Sequence, residues 1–286
     1  MTPREAGWAP YALLLPSLAF LALFFASPMV QSFGLALQDA DGDWSLASIE
    51  AMVGDARFRE ALLTTLALLA VLLPLQFALA LAMALVVNAR LKGAKLWLYV
   101  YALPLGISEL SAGIIWFAIF TQQGWLNSLL EGVGLIDRQV IWLDFNREWL
   151  LVLAVVVAEA WRATAIMMII LVAGLQGIDR DYLEAAEVYG ASPWQRLRRV
   201  ILPQLRPAIR TALVLRAILA FEVFASVIAI TGRGLTVLAN EAYRSYTVLR
   251  DEHMAAAYAS LILVLSLASA IVFFILLPVR EERLGR

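Results

Sequence analysis

The sequence predicts an all-α membrane protein with six transmembrane helices. Hydrophobic residues make up 62% of the 286 positions, charged residues make up only 16%, and the mean hydropathy is +0.81. A soluble domain contains about 25% charged residues, so this composition is that of a chain embedded in a bilayer. The apolar positions are gathered into six runs, each long enough to cross a membrane.

The six spans follow from the rule that about 20 apolar residues cross the hydrocarbon core. They are residues 11–37, 61–87, 96–121, 150–175, 208–230 and 255–278. The first run carries no charge and is longer than the core of a signal peptide, which favours a retained span. No Gly/Ser linker or internal repeat interrupts the chain, so residues 1–286 are predicted to form a single polytopic domain.

The orientation follows from lysine and arginine, which are more frequent in cytoplasmic loops than in external ones. The termini and the 176–207 loop carry most of these residues, including Arg4, Arg198 and Arg199. The first loop on the opposite side is acidic, with Asp39 and Asp41 among its residues. We therefore expect both termini and the 176–207 loop to lie in the cytoplasm.

Motifs for catalysis or for metal binding are missing from the sequence. It contains no Walker A pattern, which makes ATP hydrolysis by this chain unexpected. Its only histidine is His253, it has no cysteine, and no serine lies in a GxSxG context. The net charge of −1 gives no basic footprint for nucleic acid. We expect no catalytic residues, no metal site and no cofactor in the chain itself.

The polar segment between the fourth and fifth spans is predicted to form a helix-turn-helix. Residues 184–188 are strong helix formers, and Asp179 suits the positive end of a helix dipole. Gly190 permits a left-handed backbone at the turn. Ser192 followed by Pro193 is a typical start of a second short helix.

This segment, EAAEVYGASPWQRLRRVILPQLRP at residues 184–207, resembles the EAA signature of the permease subunits of ABC importers, and the carbohydrate importers fit best. The matching residues that the resemblance assigns to coupling with the ATPase subunit are Glu184, Ala185, Ala186, Gly190, Ala191, Leu197 and Pro203. Tyr189 departs from the family pattern, which usually has Asp there, and Leu197 stands where Phe is usual. Segments 16–37, 103–120, 161–186 and 230–246 also resemble blocks of the permeases related to the maltose system.

The resemblance implies an inner-membrane permease of a bacterium or archaeon that imports a sugar or sugar-like solute by alternating access. It also implies three kinds of partner: a second permease, two ATP-binding subunits that carry ATP and Mg, and an external solute-binding protein. Two alternatives within transport stay open. One is an ABC importer of another solute, such as a polyol phosphate or polyamine, and the other is an ion-coupled secondary transporter. A membrane scaffold without transport activity is a third.

Ionisable residues inside the spans are costly and are therefore candidates for the solute path. They are Glu109, Glu159, Arg162, Arg216 and Glu222, and Trp116 offers an apolar ring face near them. Glu159 and Arg162 are three residues apart on one helix, so an intrahelical ion pair is the structural alternative to solute binding. Packing or anchoring at the membrane interface is the alternative for Trp116.

Overall fold

The computed structural model describes residues 8–39, 41–89 and 92–278, and these residues form helices joined by short loops. The α-helices are α1 Ala9–Leu21, α2 Ser27–Ala36, α3 Ala47–Gly54, α4 Ala56–Asn88, α5 Ala94–Ala102, α6 Glu109–Phe120, α7 Trp125–Gly132, α8 Glu148–Gln176, α9 Arg180–Val188, α10 Pro193–Arg196, α11 Leu202–Phe221, α12 Ala225–Thr231, α13 Leu238–Arg244 and α14 Glu252–Leu276. The only β pairing in these ranges is an isolated bridge between Gln38 and Trp44. The all-α prediction is confirmed.

Four of the predicted spans are single long helices in the structure. They are Tyr11–Ala36, in which a π-helical turn joins α1 to α2, together with α4, α8 and α14. Each of these helices is long and apolar enough to cross a membrane. The remaining two predicted spans correspond to bent pairs of helices, so the chain has up to six spans.

The predicted spans 96–121 and 208–230 correspond to bent pairs of helices and not to single continuous helices. The first bends by 101° between Leu96–Gly106 and the helices that start at Glu109. Pro104 lies in a 3₁₀ turn there, and the side chain of Ser108 caps the new helix by accepting the N–H of Ser111. The second bends by 53° between α11 and α12.

The helix that contains the fifth predicted span begins before that span. A single helix runs from Pro193 to Phe221, through α10, a π-helical turn at Leu197–Ile201 and α11. The wider turn lies directly before Pro203, which has no N–H to donate. The second helix of the 176–207 segment is therefore continuous with the membrane-spanning helix that follows it.

The described residues divide into two compact units. The smaller comprises residues 8–39, 41–59 and 241–263, and the larger comprises residues 60–89, 92–240 and 264–278. In the smaller unit the buried Glu241 carboxylate binds two guanidinium groups, with Oε1 3.1 Å from Arg57 Nη1 and Oε2 2.7 Å from Arg244 Nη1. The single polytopic domain remains a prediction.

In the larger unit, α8 packs against α6, α11 and α12, and α6 packs against α12. Glycine allows close approach at the crossing of α8 with α11 and at that of α6 with α12. A Cβ added at Gly174 of α8 would lie 2.5 Å from Ala208 Cβ, and one added at Gly113 of α6 would lie 2.6 Å from Ala229 Cβ. Small residues at helix crossings permit this packing in membranes. These crossings bring the middle of α8 next to both helix breaks.

Candidate functional site

Glu159, at the middle of α8, lies at the centre of a buried cluster of charged side chains. Its side chain is fully buried, and its Oε2 atom lies 3.1 Å from Arg162 Nη2 and 3.0 Å from Arg216 Nη2. The predicted pair of Glu159 and Arg162 is therefore present, as their spacing of three residues indicated. Arg216, from α11, joins it as a second cation and is itself 1% exposed.

Two uncharged residues complete the hydrogen bonding of these ions, and the sequence analysis missed both. Arg216 Nε donates to Gln76 Oε1 at 2.6 Å, and Gln76 Nε2 donates to the backbone oxygen of Glu159 at 2.9 Å. The hydroxyl of Ser226 lies 2.8 Å from Glu159 Oε1. Gln76 is the only amide side chain within the apolar run 61–87. This isolated polar residue is the sequence signal by which it could have been found.

Glu109, in the first turn of α6, holds the second helix break in place. Its Oε1 atom accepts the backbone N–H groups of Phe224 and Ser226, both at 3.1 Å. The Ser226 hydroxyl is also 3.2 Å from this oxygen, so one hydroxyl lies between the Glu109 and Glu159 carboxylates. Since a hydroxyl has a single proton, it donates to one carboxylate at a time. The two breaks thus meet at one hydrogen-bonded cluster.

The charges of this cluster balance. Two carboxylates, Glu109 and Glu159, lie with two guanidinium groups, Arg162 and Arg216, in connected hydrogen bonds. Among the three ion-paired residues of the cluster, Arg162 is the most accessible, since its side chain is 22% exposed whereas those of Arg216 and Glu159 are 1% and 0% exposed. The arrangement can present hydroxyl-binding groups to a solute without holding a net charge.

The structure does not bring the other two predicted path residues into this cluster. Glu222 is exposed at the end of α11 and has no ion pair within the described ranges. Trp116 packs its ring on Phe120 at 5.4 Å and edge-on to Trp161 at 6.0 Å. Its indole Nε1 is buried and finds no hydrogen-bond partner in the described part of the chain. Trp116 also lines an apolar cavity of about 370 Å³ beside Trp142.

The 176–207 segment forms the predicted helix-turn-helix. Asp179 caps α9 by accepting the N–H of Asp181 at 3.2 Å. Gly190 is left-handed, with φ +73°, and a Cβ added there would meet no described atom within 4 Å. Its turn therefore depends on the backbone conformation and not on lack of space. Ser192 and Gln195 then form a reciprocal capping box that starts the second helix.

An ion pair between Glu187 and Arg196 joins the two arms of this loop. No residue of α9 is buried. The predicted coupling residues fall into an exposed group and a half-buried group. Glu184, Ala185, Gly190 and Pro203 are exposed, whereas Ala186, Ala191 and Leu197 are half-buried.

Large side chains on the outer surface of the loop remain open to solvent. Val188 is 85% exposed, Tyr189 is 90% exposed and Trp194 is 65% exposed. Isolated exposed apolar residues are common, whereas these three side chains together form an exposed apolar surface on one short loop. A cleft of about 510 Å³ separates Trp194 from the end of α4 at Asn88.

Comparisons with known proteins agree with this fold. Residues 10–281 match the family described as the binding-protein-dependent transport system inner membrane component. The trehalose transport permease SugA of Mycobacterium tuberculosis is 34% identical over 227 residues, which cover 78% of this chain and 71% of SugA. The trehalose/maltose transport permease MalF of Thermococcus litoralis is 29% identical, over 94% of this chain and 93% of MalF.

A third relative and a solved structure have similar coverage. The sn-glycerol-3-phosphate transport permease UgpA of Yersinia pestis is 26% identical, over 96% of this chain and 97% of UgpA. A bacterial ABC transporter involved in alginate import contains a chain that superposes with a TM-score of 0.80 at 22% identity, covering 95% of this chain and 96% of that one. The extent of the family match decides the assignment: this chain belongs to the binding-protein-dependent transport system inner membrane components, the permeases of ABC importers.

Proposed function

We propose that this chain is one of two permease subunits of an importer that carries a neutral sugar into the cytoplasm. A second permease completes the path, two ATP-binding subunits supply ATP and Mg chemistry, and an external protein delivers the solute. The 176–207 loop faces the cytoplasm in this proposal, as do Met1 and Arg286, which lie outside the described residues.

The continuous helix Pro193–Phe221 is the observation that carries this proposal. It begins in the exposed loop and includes Arg216, which binds Glu159 in the buried cluster. At 1.5 Å per residue, the 20 positions from Arg196 to Arg216 span about 30 Å. Movement of the loop by a partner subunit is therefore transmitted along one helix to the charges at the helix breaks.

The balance of charge in the cluster favours a neutral solute over an anion. The relatives carry trehalose, maltose or glycerol 3-phosphate by their names, and one structural neighbour imports the acidic polysaccharide alginate. An anion needs a cation that the protein has not already neutralised. Here Arg216 is bonded to Glu159 and Gln76, and Arg162 is bonded to Glu159 through both Nε and Nη2. We therefore infer a neutral disaccharide of the trehalose or maltose type.

The exposed groups of the path would act on such a solute by hydrogen bonding. Arg162 retains accessible surface, and a guanidinium beside a carboxylate can bind pairs of sugar hydroxyls. ATP-driven closure of the partners would shift the long helix and so redistribute the hydrogen bonds of Ser226 between Glu109 and Glu159. Release of the solute would follow from the loss of that arrangement.

Cross-linking tests the coupling part of the proposal, and the chain suits it because it contains no cysteine. A Tyr189→Cys variant, with the thiol at a position where the side chain is 90% exposed, should cross-link to the ATP-binding subunit of the assembled importer. Arg138→Cys, at an exposed site between α7 and α8, is the matched control and should not react with that subunit. Cross-linking of Arg138→Cys alone would reverse the proposed orientation.

Transport assays test the solute and exclude the ion-coupled alternative. In proteoliposomes the complete importer should accumulate a neutral disaccharide only with internal ATP, and a proton or sodium gradient should not replace ATP. Uptake of glycerol 3-phosphate in preference to the disaccharide would contradict the argument from charge balance. It would leave the ABC mechanism in place.

A further inference from the structure

The start of α11 and the end of α14 meet beside a pair of arginines. The Arg210 guanidinium carbon lies 4.7 Å from the centre of the Phe274 ring, which is a cation–π contact. Arg206 lies one helical turn before Arg210, on the same face of α11, and is exposed. Within residues 8–39, 41–89 and 92–278, neither arginine forms an ion pair.

An apolar stripe runs along α14 away from this pair. Its members are spaced by three and four residues and are all about half exposed: Val264 53%, Leu267 52%, Ile271 58% and Phe274 52%. Such spacing places them on one face of the helix. Phe274 connects the stripe to Arg210, so a cationic group lies at the end of a continuous apolar surface.

We propose that this surface binds one anionic phospholipid, with the phosphate on Arg206 and Arg210 and an acyl chain along the stripe. A guanidinium fork binds phosphate oxygens in a bidentate way, and basic residues at the membrane boundary attract anionic headgroups. The apolar stripe runs for about three helical turns, or roughly 15 Å, and so covers part of an acyl chain. A soluble phosphate would use the arginines alone and leave the stripe without an occupant. This inference depends on the chain spanning a bilayer and not on the solute that it carries.

Native mass spectrometry of the assembled importer in detergent tests the site. Phosphatidylglycerol and phosphatidylcholine with identical acyl chains are the two probes. The wild type should retain one phosphatidylglycerol more tightly than phosphatidylcholine. The Arg206→Gln/Arg210→Gln double variant should bind phosphatidylglycerol roughly thirtyfold more weakly, given the usual contribution of each basic residue near a membrane surface.

The matched control is Arg138→Gln/Arg198→Gln, which removes the same charge from two other exposed sites. It should keep the bound phosphatidylglycerol. Phe274→Leu, which keeps the apolar stripe but removes the ring, should weaken binding by a few fold. Inorganic phosphate at millimolar concentration should not displace the lipid, because it cannot occupy the stripe.

Several results would overturn the proposal. One is equal retention of phosphatidylglycerol in the wild type and the Arg206/Arg210 double variant. Another is an equal loss in the control, which would indicate a general charge effect. A third is a gain of lipid binding in the Glu281→Gln/Glu282→Gln variant. That gain would mean that the two arginines normally pair with these carboxylates and not with a lipid. Both glutamates lie outside the described residues. A fourth is a dimer of this chain that dissociates in the Arg206/Arg210 double variant while the bound lipid is retained. This result would assign the surface to a second copy of the chain.

Discussion

Glu159 is the residue on which the buried cluster depends, because its one carboxylate is ion-paired with two guanidinium groups. A pair confined to Glu159 and Arg162 would leave Glu159 without a cation once Arg162 is removed. The structure shows instead that Arg216 and Ser226 would still bind it. Substitutions in the cluster should therefore differ in severity according to how many partners remain.

Glu159→Gln should be the most damaging of these changes. It leaves Arg216, which is 1% exposed, without a carboxylate partner, and the loss of one partner from a buried ion pair costs about 3–5 kcal/mol. Purified protein in detergent should show a markedly lower melting temperature and a poor yield of single-sized particles. A melting temperature equal to that of the wild type would show that the cluster is not needed for folding.

Arg162→Met should be milder and should separate folding from transport. Glu159 keeps two partners, so the loss of stability should be about 1.5–3 kcal/mol, the contribution of hydrogen bonds to a charged group. If Arg162 binds the solute, the assembled importer should keep basal ATPase activity and lose uptake. Normal uptake with a lower melting temperature would assign Arg162 a structural role only.

At the scale of helices, the two breaks are the main feature that the sequence did not reveal. Each lies within a run that is apolar throughout, so length and hydropathy indicate one continuous helix. The second break is held by Glu109, which is more than a hundred positions away in the sequence and accepts two backbone N–H groups there. A contact between distant residues leaves no local pattern. The helix-turn-helix of residues 176–207 was predictable for the opposite reason, since Asp179, Gly190 and Ser192 act on their immediate neighbours.

The crossing of α6 and α12 makes a prediction about packing. Gly113→Ala should destabilise the protein by about 1–3 kcal/mol, because its Cβ would lie 2.6 Å from Ala229 Cβ and the helices would have to move apart. Gly132→Ala in α7 is the control, since a Cβ there meets no described atom within 4 Å. Thermal unfolding of both variants compares them directly. Equal melting temperatures would mean that the crossing is looser than the structure shows.

The turn at Gly190 in the 176–207 loop makes a prediction about transport. Gly190→Trp should leave the chain folded, because the space around Gly190 is open. The left-handed backbone at this position should lower the stability of a residue that has a Cβ by about 1–2 kcal/mol. The bulky ring would also lie on the surface that we propose contacts the ATP-binding subunit. We expect the importer to bind its external protein and lose stimulated ATPase activity and uptake. Glu184→Lys should have a similar but smaller effect, and unchanged uptake in both variants would remove the coupling role.

For the whole molecule, the family and the class of transporter were predictable from the sequence, whereas the arrangement of the path was not. The charged candidates were found because charge inside an apolar run is conspicuous. Gln76 and Ser226 were missed because neutral polar residues are tolerated in spans, and Glu222 was included although it lies apart from the cluster. Which groups meet depends on the helix crossings.

Uptake of a radiolabelled neutral disaccharide into proteoliposomes is the most direct test of the proposed function. The vesicles would contain this chain, the second permease and two ATP-binding subunits, with the solute-binding protein outside and ATP inside. We expect accumulation that requires ATP, stops with Gly190→Trp and is normal with the Arg138→Gln control. Accumulation driven by a proton or sodium gradient without the ATP-binding subunits would contradict the assignment of this chain as a permease of an ATP-driven importer.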